Sequence, residues 1–193
     1  MIVGKQFTAI EAAHRAFINR QRIFFTASAT EASRINVSPR STDYFRILDD
    51  HTVAYLDRTG SGNETAAHIK ADGRLTIMFC AFDGPPMILR LYGRADVRHR
   101  HQRDYADLIE NSFGGLAPLG ARQIVRLSVE LVQTSCGFGV PLFNYKGERD
   151  SLGRWTEAKG RNGIEAYWRE KNLLSIDGLP TGLLDVKEDD SSH

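Results

Sequence analysis

VAYLDRTGSGNETAAHIKADGRLTIMFCAF, residues 53–82, holds the pattern on which the fold turns. An apolar run ends at Asp57, and a glycine-rich polar loop follows it. ETAAHIKADG then reads as a short helix that Gly73 can end, and RLTIMFCAF returns as a strand apolar at nearly every position. A strand of that composition is expected to be buried on both faces. The loop admits two readings. In GSGNET, Ser61 and Glu64 fit the S-x-x-E pattern, so these residues could simply cap a helix that begins near Gly62. The same helix end offers free N–H groups, while Ser61, Asn63 and Thr65 add side-chain donors. Gly60 and Gly62 let backbone approach a ligand closely, so a phosphate could be cradled here. The stretch is neither a P-loop nor a dinucleotide fingerprint, because no Gly-Lys-Ser/Thr follows and the third glycine is missing.

Upstream, QRIFFTASA, SRINVSP, YFRILDD and HTVAYLD are β-rich runs separated by polar or proline-containing turns, and they predict a meander of antiparallel strands. Before them, TAIEAAHRAFIN (8–19) has helical spacing, with Thr8 and Glu11 placed as a capping box. Downstream, MILRLYGRADVRH reads as a long strand, HQRDYADLIENSF as an amphipathic helix and ARQIVRLSVELVQTSCG as a further strand. Six or seven strands with two or three short helices are too β-rich and too closely spaced for a doubly wound parallel sheet. The expectation is a mainly β fold, a small barrel with helices at its ends.

From about residue 145 the composition turns charged and glycine-containing, with a helix expected over Gly163–Lys171 and a disordered end in DVKEDDSSH. The division expected is a domain over 1–145 and an arm over 146–193. That arm would serve as a lid or dimer arm, packed on the same domain or on its dimer partner.

At 193 residues the chain can bury a full core as one domain. Its 25 Lys and Arg against 24 Asp and Glu leave no general field for nucleic acid or an anionic membrane, so any anion site must be local. Cys80 and Cys136 lack the paired spacing of a zinc site and make no disulfide framework, which favours a reduced, cytoplasmic setting. No apolar run reaches the length of a membrane span, and Glu11 interrupts the stretch a signal peptide would need.

Taken in order, SRINVSPR, the 53–82 stretch and ILRLYGRADV resemble the pyridoxamine 5'-phosphate oxidase-related family of FMN-binding split barrels. The resemblance covers roughly residues 15–135 and implies a split β-barrel that binds FMN at the interface of a homodimer. It implies that Arg34, Ile35, Asn36, Val37 and Ser38 line the flavin and that Leu56 and Asp57 flank it. Ser61, Gly62, Asn63 and Thr65 would hold the phosphate. Three departures bear on activity. Gly62-Asn63 stands where the oxidases carry an Arg-Lys pair, so the phosphate would rest on neutral donors, with Arg34 or Arg40 in support. Pro39 stands where they carry the lysine that reaches substrate, and their C-terminal Arg-x-His pair has no counterpart. Pyridoxamine phosphate is therefore not the expected substrate.

The resemblance implies an oxidoreductase whose small-molecule substrate stacks on the flavin, with Arg40, Arg58 or Arg90 as anion contacts. The alternatives are a flavin-holding module without turnover, or a deazaflavin- or haem-binding relative on the same barrel. Other features have ordinary readings beside functional ones. His99 and His101 are more simply a solvated basic stretch than metal ligands. Arg90 could face the flavin or pair with a carboxylate across the sheet, and His68 could merely pack. Cys136 fits a tight turn better than a reactive thiol. The patch FGVPLF (138–143) could close the site from a partner chain, and Trp155, Tyr167 and Trp168 could anchor the arm.

Overall fold

A computed structural model describes residues 4–115 and 117–185. Eight strands run in the order β1 (Lys5–Phe7), β2 (Ile23–Ser28), β3 (Asn36–Ser41), β4 (Phe45–Ile47), β5 (Thr52–Arg58), β6 (Arg74–Cys80), β7 (Ile88–His99) and β8 (Ala121–Ser135). The helices are α1 (Ala12–Ile18), α2 (Glu64–Ala71), α3 (Arg103–Ser112) and α4 (Ser151–Lys171), with one 3-10 turn at Thr42–Tyr44. The strands form one sheet ordered β3-β2-β6-β7-β8-β5-β4, with β1 added beside β8. Every pairing is antiparallel.

This order corrects the expected meander. β2 and β3 form one hairpin and β4 and β5 another, but the two sit at opposite ends of the sheet, and β3 does not pair with β4. The reason is side-chain packing across a curled sheet. Phe24 of β2, Phe45 of β4 and Phe79 of β6 meet with ring centroids 5.1–5.8 Å apart, so the sheet rolls into a half-barrel around an aromatic centre. Ile10, Ile77, Leu89, Leu91, Leu127 and Val132 complete that core.

β7 and β8 pair along nearly their whole length and form the spine, with a bulge between Tyr92 and Gly93. A Cβ at Gly93 would lie 1.9 Å from the Ser128 carbonyl oxygen, so only glycine allows this close approach. β6 is less symmetrically buried than its composition predicts. Leu75, Ile77 and Phe79 are buried in the barrel, whereas Thr76 and Met78 are only half-buried on the other face.

Neither expected capping box forms as expected: that of α1 moves, and α2 has no side-chain cap. α1 starts after Glu11, whose N–H donates to His14 Nδ1 at 3.1 Å, so Thr8 lies outside the helix. α2 has Asn63, not Ser61, at its N-cap, and ends where Gly73 takes φ +88°. The helix expected over 163–171 is the second half of the longer α4, which breaks at Gly160 (φ 63°, ψ 174°). Ile164 and Trp168 of its second half pack with Leu183. The expectation for the end of DVKEDDSSH concerns residues 186–193, outside the described ones.

Candidate functional site

The chemistry gathers where β5 runs out. Asp57, only 1% exposed, receives Arg122 Nε at 2.7 Å and Gln123 Nε2 at 2.9 Å on one oxygen and the Arg40 guanidinium on the other. Burial alone would raise its pKa, but Arg122 and Arg40 hold it below the usual carboxylate value. Arg40 also lies over the ring of Tyr55, 4.8 Å from its centroid, and burial pushes that phenol up to about 12. The carboxylate therefore clamps two strands, β3 through Arg40 and β8 through Arg122, to the end of β5.

The loop after β5 is held from behind. Thr59 Oγ1 donates to Gly120 O at 2.8 Å and accepts from Trp168 Nε1 at 2.8 Å. Asn172, just past α4, donates to Gly60 O at 3.1 Å, while Arg122 donates to Gly62 O at 2.9 Å and to Asn172 Oδ1 at 3.0 Å. The Asn63 side chain is consumed by Gln123 Nε2 at 2.8 Å and by Asn172 O at 3.4 Å. Glu64 accepts the Ile176 N–H at 3.0 Å. These bonds tie down the loop's carbonyls and buried side chains. The N–H groups of Gly60, Ser61 and Gly62 and the exposed Ser61 hydroxyl find no acceptor among the described residues. A fixed loop whose donors lack an acceptor is what an anion site requires.

In front of the loop lies an open cavity of about 1510 Å³. β3 supplies one wall, and its alternation sorts the expected residues. Asn36, Ser38 and Arg40 line the cavity, as does Pro39, whereas Ile35 (78% exposed) and Val37 (61%) are on the outer surface. Arg34 is exposed and ion-paired with Asp177. Leu56, Ser61, Gly62, Asn63 and Thr65 also line the cavity, and Asp57 sits behind its wall. Thr65 accepts from Asn36 Nδ2 at 3.0 Å, and Ser38 donates to Asn36 Oδ1 at 3.2 Å, which fixes the polar floor. That floor continues inward: Asn36 Nδ2 reaches Ser28 Oγ at 3.4 Å, and Ser28 meets buried His68 Nδ1 at 3.0 Å.

Sequence reasoning missed Arg122, Gln123 and Asn172, the residues that fix the loop. Arg122 and Gln123 did leave a trace, because two adjacent polar residues open β8 ahead of the apolar/polar alternation that follows. Asn172 left none. Arg90 does not line the cavity, and among the described residues it pairs with no carboxylate; it donates to Ser135 Oγ at 3.2 Å. His99 and His101 stack with centroids 5.9 Å apart, and no group of three His, Cys, Asp or Glu is placed to hold a metal among the described residues. Cys136 is half-buried. Phe143 packs edge-on against Phe82, its centroid 5.5 Å away, and both line the cavity. Trp155 packs edge-on with Tyr167, while Trp168 is the residue that reaches the loop. No described helix is long and apolar enough to cross a membrane.

The family model for pyridoxamine 5'-phosphate oxidase matches residues 10–136, which leaves α4 and the segment after it outside the matched region. The chain is 38% identical to the pyridoxamine 5'-phosphate oxidase family protein ustO of Aspergillus flavus, over 83% of this chain and 71% of that protein. Among solved structures it is similar to HupZ of Group A Streptococcus (TM-score 0.51, 20% identity, 63% of this chain and 91% of that one). It is also similar to a protein from Lactobacillus delbrueckii described as a pyridoxamine 5'-phosphate oxidase of unproven assignment (TM-score 0.50, 16% identity, 65% and 94%). At these identities the two structures speak to the fold alone.

Proposed function

Because the chain belongs to the pyridoxamine 5'-phosphate oxidase family, we propose that its cavity holds FMN at the interface of a homodimer, and that the protein is a flavin-dependent oxidoreductase acting on a small molecule. The observation that carries this reading is the loop at 59–63, which lines the cavity, is fixed by Arg122, Trp168 and Asn172, and keeps donors without an acceptor among the described residues. The residues present fit the group. Ser61 and the N–H groups of Gly60 and Gly62 would take phosphate oxygens, while Asn36, Ser38 and Leu56 would flank the ring. A side chain at Gly62 would crowd Glu64 Oε1, 3.2 Å from the position of a Cβ. The cavity exceeds the roughly 300–1,000 Å³ usual for one ligand, which leaves room for a substrate beside the flavin.

When bound, the flavin supplies the hydride and electron chemistry. The chain's part is to bind and orient it: Asp57 fixes Arg40 in the wall, and Asn172 fixes the loop. Ile35 and Val37, on the outer surface, and the exposed Arg34 just before β3 would meet the flavin or the second subunit from the partner's side of the interface. With Pro39 in the wall instead of a lysine, the substrate is a molecule other than pyridoxamine phosphate.

The test is the absorption spectrum of purified protein before and after FMN is added, with titration by fluorescence quenching. Saturable binding with a perturbed flavin spectrum is expected, and no binding sinks the reading. Asn63 and Thr65 belong to the internal network, so Ser61→Ala alone probes the phosphate end. It should weaken FMN several-fold and leave riboflavin unchanged. Reduction of the bound flavin by a nicotinamide donor, followed by reoxidation by an acceptor, separates an enzyme from a flavin-holding module.

A further inference from the structure

The cavity collects more positive charge than the chain as a whole. Eight of its lining side chains are Lys or Arg against four carboxylates, in a protein of formal net charge +1. Arg40 and Arg122 are already matched by Asp57. Arg58 is not. It is half-buried at the end of β5, with its guanidinium 5.4 Å from the centroid of the Tyr44 ring. Its Nε is buried without a hydrogen-bond partner, and among the described residues no carboxylate lies within ion-pair distance of it. A partly desolvated cation with neither acceptor nor counter-charge is unfavourable as it stands. The residues that follow it in the chain are those of the donor loop.

Resting on the flavin reading above, we infer that Arg58 is the counter-charge for a phosphate-class anion bound in the cavity, with the Ser61 hydroxyl and the Gly60–Gly62 N–H groups as its neutral donors. The anion is the flavin's own phosphate or an acid group on a second ligand beside the ring. A guanidinium suits either, because its planar fork matches phosphate geometry, and the Tyr44 ring holds that plane in place. Arg58 thereby takes the role of the cationic pair missing at Gly62-Asn63.

The experiment compares the full chain with Arg58→Met, which keeps the apolar stem on Tyr44, and with Arg58→Lys, which keeps the charge but loses the fork. Circular dichroism checks that each variant is folded. Each protein is titrated with FMN and riboflavin at low and high salt, and its melting temperature is followed with inorganic phosphate, with and without riboflavin. A loss of tenfold or more for FMN in Arg58→Met, with riboflavin unchanged and a smaller loss in Arg58→Lys, supports the inference with the flavin phosphate as source. Unchanged affinity for both flavins, with a phosphate-induced rise in melting temperature seen in the wild type and absent in Arg58→Met, supports it with a second ligand as source. Wild-type behaviour of Arg58→Met in every titration overturns it. If the wild-type protein binds neither flavin, the flavin reading fails by itself, and the phosphate-dependent melting temperature still decides whether Arg58 anchors an anion.

Discussion

Asp57 shows how much one residue can carry. Among the described residues its carboxylate is the sole counter-charge given to Arg40 and Arg122, so Asp57→Asn leaves two buried guanidiniums short of charge. The expected cost is about 3–5 kcal/mol in denaturant unfolding, as for removal of one partner from a buried ion pair. Its lowered pKa also gives a sign. The stabilisation is present above the unfolded carboxylate value, near 3.9, and is lost as pH falls through the lower folded value. His99 acts in the same direction, at higher pH. Burial, with His101 and Lys70 adding and Asp185 opposing, pushes its pKa from 6.5 down to about 4. Between those values the unfolded chain binds the extra proton, so stability falls as pH drops from about 6.5 towards 4. His99→Gln should flatten that part of a melting-temperature curve against pH; an unaltered slope would place its origin in other groups.

At the scale of elements, α4 and the segment after it matter through one asparagine. Asn172 accepts from Arg122, donates to Gly60 O, and receives Asn63 Nδ2 and Thr181 Oγ1 on its carbonyl. Asn172→Ala keeps the carbonyl and removes the two side-chain bonds. It should cost about 1–3 kcal/mol, since it leaves buried polar groups unsatisfied, and should speed proteolytic cleavage at 59–63. Retained protease resistance would show that Trp168 and Glu64 suffice to hold the loop. Most element positions were legible because side-chain period reports local burial: β5, α2, β6 and β7 fall within residues of their expected bounds. β1 was missed, since three residues carry no period. The first half of α4 was missed because Gly153, Gly160 and the surrounding charges mask its helical spacing.

At the scale of the whole molecule, the surface left exposed is the informative part. Val37 of the edge strand β3 and Ile35 just before it are exposed, and Phe138 and Leu142 stand exposed beyond β8, more apolar surface than an isolated edge usually shows. Light scattering should give twice the 21.6 kDa chain mass. Ile35→Asp combined with Val37→Asp should shift the protein towards monomer and lower its FMN affinity at least tenfold together. A double variant that stays dimeric would move the interface elsewhere, and a monomer that keeps FMN would remove the flavin from it.

The sequence by itself determined most strand and helix identities, the family and the loop, because periodicity, turn chemistry and the run of residues 53–82 are local properties. Tertiary structure alone decided which strands are neighbours and which loop donors stay free. Those depend on contacts between residues far apart in the chain: Phe24 with Phe45 and Phe79 curls the sheet, and Arg122, Gln123 and Asn172 take up the Asn63 side chain and the loop carbonyls. No local pattern encodes such pairings, since each partner looks like an ordinary polar or aromatic residue until folding brings it against the other.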